Sequence, residues 1–171
     1  MANEFTDTNI TGSLTVNGVS VTAGITAGGL LALAVVAMRG ATSSDSGVIA
    51  ATGDNTGTEL KVVAQGTPGM TVSTTAGTAI VTGVFTGIGS NTTSATFVAP
   101  VTNPRIDIMQ ISTVGVVSIK AGTENASPSA PSVDAGNLKL AEIYHRVGET
   151  SIKNTDDSTN GYITDSRTAF I

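Results

Sequence analysis

The chain contains no cysteine and no tryptophan, one histidine, two tyrosines and four phenylalanines. Without thiols it has no disulfide framework, no thiolate metal site and no cysteine nucleophile, and the redox compartment leaves no trace in it. With His145 as the lone imidazole, a zinc site would be short of ligands. Charge is also scarce. Asp, Glu, Lys and Arg make up 12% of residues, against about 25% in an ordinary domain. The net charge of −5 comes from 13 acids and 8 bases spread thinly. No basic run could follow a phosphate backbone, which argues against nucleic acid as a partner. Long apolar runs are missing as well. The longest, Leu30-Leu31-Ala32-Leu33-Ala34-Val35-Val36-Ala37-Met38, falls well short of the roughly 20 residues that cross a bilayer, so membrane insertion is not expected. The residues before it hold Glu4 and Asp7 and neither Lys nor Arg. That is the wrong charge for a secretory signal, and synthesis in the cytoplasm without a cleaved leader is expected.

What the chain does have is threonine, serine, 20 glycines and an apolar share of 40%. Disorder needs low hydrophobicity, and the apolar share and positive mean hydropathy oppose it. The length of 171 residues suits one domain plus an arm better than two domains. The expected division is residues 1–40 as an arm for oligomerisation and attachment and residues 41–171 as an all-β domain.

Within the arm, Leu14 and Val16, then Val19 and Val21, alternate with small polar residues around Asn17-Gly18. Asn-Gly between alternating apolar residues is the strongest short hairpin signal. A ribbon this short is marginal alone and must pack on something. The run 30–38, bounded by Gly28-Gly29 and Gly40, reads as a buried strand, with a short helix as the alternative. Leu14, Val16, Leu31, Leu33 and Val35 are the candidate oligomer-interface residues. An apolar arm with no place in a single core would otherwise expose more than the few hundred Å² that monomers tolerate.

Beyond the arm, residues 40–58 read as loop with one short strand over the apolar piece Val48-Ile49-Ala50-Ala51. Further strands are expected at 60–64, 70–73, 79–85, 94–98, 105–111, 116–120, 138–144 and near Tyr162-Ile163. Short strands with turn signals every 8 to 12 residues mark a β-sandwich or barrel. Ile106 and Ile108 alternate with Arg105 and Asp107, which places the two charged residues together on one face, expected to be the wet one. Pro128 and Pro131 exclude helix and central strand from residues 122–131. That stretch should be an extended surface crossover between two strands of one sheet.

Candidate chemistry is thin. His145 ends a strand between Tyr144 and Arg146, with no Gly-x-Ser-x-Gly turn to supply a strained nucleophile, and reads as a partly exposed strand-end residue. Asp156-Asp157-Ser158-Thr159-Asn160-Gly161 has oxygen ligands at the first, third and fifth positions and Gly at the sixth, as in a calcium loop. The twelfth position is Arg167 where a bidentate carboxylate belongs, so the stretch reads as a polar loop closed by an Asn-Gly turn. Gly87-Ile88-Gly89-Ser90-Asn91 lacks the third glycine of a dinucleotide loop and reads as a hairpin tip. Arg105 with Asp107, and Asp165 with Arg167, read as structural ion pairs or interface contacts. No catalytic, cofactor-binding or metal-ligating residue is assigned, and no cofactor is expected.

Four stretches carry a resemblance: Pro104-Arg105-Ile106-Asp107-Ile108, Gly122-Thr123 with Ser127-Pro128 and Pro131, Ala135-Gly136 with Leu138-Lys139-Leu140-Ala141-Glu142-Ile143-Tyr144, and Ile163-Thr164-Asp165 with Arg167. In this order, and with Pro68-Gly69-Met70-Thr71-Val72 upstream, the chain resembles the small β-rich modules of tail-fibre, baseplate and receptor-binding proteins of tailed bacteriophages. The arm is similar to the intertwined trimeric stems of phage fibres. The likeness spans residues 60–167 and departs at Thr113-Val114-Gly115, where such modules carry a polar turn. It implies an all-β fold, a β-sandwich or barrel-like domain behind an extended, intertwined N-terminal β arm. It also implies a non-enzymatic virion protein of the tail fibre or baseplate that is assembled in the host cytoplasm. The implied partners are copies of the chain, as a homotrimer, other phage structural proteins, and a host surface glycan. The alternative is a capsid decoration protein that braces the head shell; a hydrolase or calcium-binding module ranks third.

Overall fold

The computed structural model describes residues 14–16, 19–21, 45–49 and 57–169. Contacts divide the chain into two units, Met1–Ala41 and Thr42–Ile171. In the first, β1 (Leu14–Val16) and β2 (Val19–Val21) pair antiparallel, with Val16 opposite Val19 across Asn17-Gly18. This is the expected hairpin. The backbones of Leu14 and Val16 thus lie in β1, while Leu31, Leu33 and Val35, with the whole run 30–38, lie outside the described residues.

The second unit is all-β, with no helix among its described residues. Its largest sheet is built on two long strands, β9 (Arg105–Ser112) and β11 (Asn137–His145). With β10 (Val117–Lys120), β12 (Ile152–Lys153) and β13 (Gly161–Asp165), they form the order β10-β9-β11-β13-β12. All pairs are antiparallel except β12 with β13. Two smaller sheets complete the unit. One joins β3 (Gly47–Ile49), β6 (Gly77–Val81) and β7 (Val84–Ile88), and the other joins β4 (Val62–Ala64), β5 (Val72–Thr74) and β8 (Thr92–Thr93). All three sheets contribute to one sandwich-like core. It holds Val48, Val62, Val72, Val81, Met109, Ile111, Leu140, Ile143, Ile152 and Phe97, each large aliphatic side chain there adding about 1.5–3 kcal/mol on burial.

The crossover runs as expected. Residues 121–136 leave β10, pass β9 and enter β11 on its far side. Its effect on β9 reverses the expected faces. Positions 105, 107, 109 and 111 share one face by the period of two, and Met109 and Ile111 belong to the core. Arg105 and Asp107 therefore point inward. The opposite face is not wet either, because Ile108 and Gln110 are buried on it. Gln110 donates to the Asp134 carboxylate at 2.5 Å and accepts the Asp134 N–H at 3.0 Å, which ties the crossover down. With both faces covered, alternation along β9 could not reveal which face was the inner one.

Other expected strands shift. The stretch 79–85 is a hairpin, not one strand, because Thr82 and Gly83 take positive φ of 48° and 77°. Positive φ at both central residues is the two-residue turn that follows strand twist. Thr82 is a costly residue there, and its N–H is held by Ser46 Oγ at 2.9 Å. Thr113-Val114-Gly115 closes the β9–β10 hairpin as a three-residue loop, with Gly115 at φ 77°. Residues 94–98 form no strand, although Ser94 and Phe97 donate to Val72 and Met70 carbonyls. The glycines at 87 and 89 do not tip a hairpin. They lead from β7 into β8 of a different sheet.

Candidate functional site

The chemistry-bearing residues of the second unit gather at the end of the core where β9 begins and β11 finishes. Residue-by-residue pairing sets His145 opposite Arg105 and Ile143 opposite Asp107. The register shifts between Lys139 and Ala141, so Leu140 and Ala141 are both buried in succession. Such a bulge changes the phase of alternation. Past it, Ala141, Ile143 and His145 share the buried face. His145 is thus fully buried, not partly exposed as expected, with its ring 5.1 Å from that of Phe97.

Both imidazole nitrogens face carboxylates. Nδ1 bonds Glu149 Oε1, and Nε2 lies at an ion-pair distance of 3.3 Å from Asp107 Oδ2. Asp107 accepts further bonds from Arg105 Nε at 2.7 Å and Arg105 NH2 at 3.0 Å, and from the Gly122 N–H at 2.9 Å. Glu149 Oε2 accepts the Arg146 N–H at 2.8 Å, and Arg105 donates onward to the Val98 carbonyl at 2.7 Å. Burial pushes the Asp107 carboxyl up, but the bonds from His145, Arg105 and Gly122 outweigh it and hold the group below its ordinary value. Burial likewise pushes the His145 imidazole down. The bonds to Asp107 and Glu149 prevail and raise it. A charged His145 makes the set neutral, two cations against two carboxylates. A general base of the Ser-His-Asp kind needs one ring nitrogen free for the nucleophile; here each nitrogen faces an acid and the ring is out of water.

The polar loop at 156–161 spends its oxygens on its own N–H groups and on the neighbouring Arg146 and Ser151. Asp157 accepts the Asn160 N–H at 2.7 Å, the Asn160 side-chain amide at 2.8 Å and the Thr159 N–H at 2.9 Å, which bring its carboxyl down to about 2. Asp156 accepts the Ser158 N–H and takes the Arg146 guanidinium at 2.9 Å. Arg146 in turn lies over the Tyr144 and Tyr162 rings. Among the described residues, no group of three or more His, Cys, Asp or Glu is placed to hold a metal. The Asp165–Arg167 pair forms at 2.7 Å, and Arg167 reaches back to the Gly57 and Glu59 carbonyls. The expected ion pairs therefore form. The carboxylates around His145 went unrecognised in the sequence. Only the spacing of His145 and Glu149 across a tight turn could have suggested one of them.

The crossover also lines a half-open cleft of about 210 Å³, with Gly122, Thr123, Asn125, Ser127, Ser129 and Pro131 among its walls. Its lining is neutral and hydroxyl-rich. Comparison of the chain with family models, with curated proteins and with solved structures finds no match.

Proposed function

We propose that the chain is a non-enzymatic structural protein of a bacteriophage virion, a module of the tail fibre or baseplate that works in several copies. The observation that carries this reading is the use to which the phage-like stretches are put. Residues 104–108, 122–131, 135–144 and 163–167 supply β9, the crossover, β11 and the end of β13. Their charged groups bind one another or the backbone: Arg105 to Asp107, Lys139 to Glu142, and Asp165 to Arg167. Such a pattern specifies a scaffold. Presented on a rigid multimer, weak contacts gain avidity from effective concentration, which is how a module without a deep site attaches to a host surface.

The test is to label the protein in whole particles of the phage that carries it and find the label by electron microscopy. Label on the tail or baseplate is the expected result. Label spread over the head shell would move the protein to capsid decoration, and particles without label would refute a virion role.

A further inference from the structure

The Arg105–Asp107–His145–Glu149 set, with Gly122, joins four segments at one end of the core. Arg105 and Asp107 come from β9, His145 from the end of β11, and Glu149 from the turn that follows it. Gly122, the fourth, begins the crossover and gives its N–H to Asp107. The position leaves no room for a side chain, because a Cβ there would lie against the Ile106 carbonyl. It is also part of the cleft wall.

The proton on His145 decides whether these bonds are compatible. An imidazolium donates from both nitrogens and can satisfy Glu149 and Asp107 together. A neutral ring donates from one only. The closer contact, Nδ1 to Glu149, keeps the proton, which leaves Nε2 bare of its proton 3.3 Å from Asp107 Oδ2. Two buried centres of negative charge then face each other, with Arg105 as the one remaining cation on Asp107. The charged groups facing the ring are Asp107 and, behind it, Arg105 from β9, and Glu149 from the turn. Phe97 on the remaining side is neutral, and the Arg146 side chain is turned away to Asp156.

We propose that His145 is a proton-held brace: while it is charged, Asp107 fastens the crossover at Gly122, and loss of the proton frees that end of the crossover and reshapes the cleft. The direction agrees with the raised imidazole. A histidine whose folded value exceeds the unfolded one lends stability that is complete below 6.5 and is lost as pH rises through the folded value.

Because the chain has one histidine, its imidazole signals in a nuclear magnetic resonance titration of the full chain need no assignment. Amide exchange at Gly122 should be read alongside, relative to Ile143 in the core, so that the general effect of base cancels. The expected result is an imidazole that titrates above 6.5 and a Gly122 amide whose relative protection falls through the same pH. The fall should be about tenfold for each unit by which the imidazole is raised. Glu149→Gln should lower both transitions together. Three results would overturn the brace: an imidazole titrating at or below 6.5, one that keeps its proton until the chain unfolds, or a Gly122 amide that follows Ile143 throughout.

Discussion

Arg105 and Asp107 stand two residues apart on β9, and Asp165 and Arg167 stand two residues apart where β13 ends. As sequence the two pairs look alike, and each closes at 2.7 Å. They differ in which charge leaves water. At the first pair the acid is the deeper partner, with side-chain exposure of 2% against 13% for the arginine. At the second the base is deeper, at 2% against 39%. The buried ion sets what else must be present. A buried carboxylate needs more positive partners, and Asp107 has the Gly122 N–H as a donor and the His145 imidazole at an ion-pair distance. A buried guanidinium needs more acceptors, and Arg167 finds them in the carbonyls of Gly57 and Glu59. Each pair therefore pins a remote piece of chain, the crossover in one case and the approach to β4 in the other.

Removing the buried partner should cost most. Asp107→Ala strips the buried Arg105 guanidinium of its carboxylate and leaves Glu149 as the one acid beside His145, and we expect a loss of about 3–5 kcal/mol in urea unfolding. Arg167→Ala should cost less, about 1–3 kcal/mol by the same measurement, because it strips two carbonyls of a donor while Asp165 can rehydrate. Asp165→Ala should cost less than Asp107→Ala, because the buried Arg167 guanidinium it leaves behind keeps the Gly57 and Glu59 carbonyls as acceptors. A cost for Asp165→Ala equal to that for Asp107→Ala would dissolve the contrast between the pairs.

The contrast also has a pH signature of smaller size. The depressed Asp107 carboxyl adds stability that is present above its ordinary value of 3.8 and is lost as pH falls through the lower, folded value. Its partner His145 acts in the opposite sense on the alkaline side. Thermal unfolding of the wild-type chain should weaken at both ends, and His145→Gln should flatten the alkaline limb.

Legibility in the sequence followed how local each signal was. The strands β9, β10, β11 and β13, the Asn17-Gly18 hairpin and the crossover could be read because alternation, turn residues and prolines act over a few positions. The β6–β7 turn was missed because Thr82 is a poor residue for positive φ and is held there by Ser46, far away in the chain. The strand β12 was missed because it has two residues and is defined by β13 and by the bond from Ile152 to the Gly69 carbonyl. The inner face of β9 was misjudged because the crossover buries the second face as well. The site was the least legible part. His145 looks like a strand end, and only tertiary pairing brings Asp107 to it while a tight turn brings Glu149.

The claim that the chain works as an assembled structural module is tested most directly by its mass in solution, measured by light scattering on the purified full-length protein and on Leu33→Asp. The account predicts a trimer for the wild-type chain. For the variant, a carboxylate placed in an intersubunit core costs several kcal/mol in every copy, and a monomer that keeps the β spectrum of the second unit is expected. A wild-type chain that stays a stable, soluble monomer would contradict it.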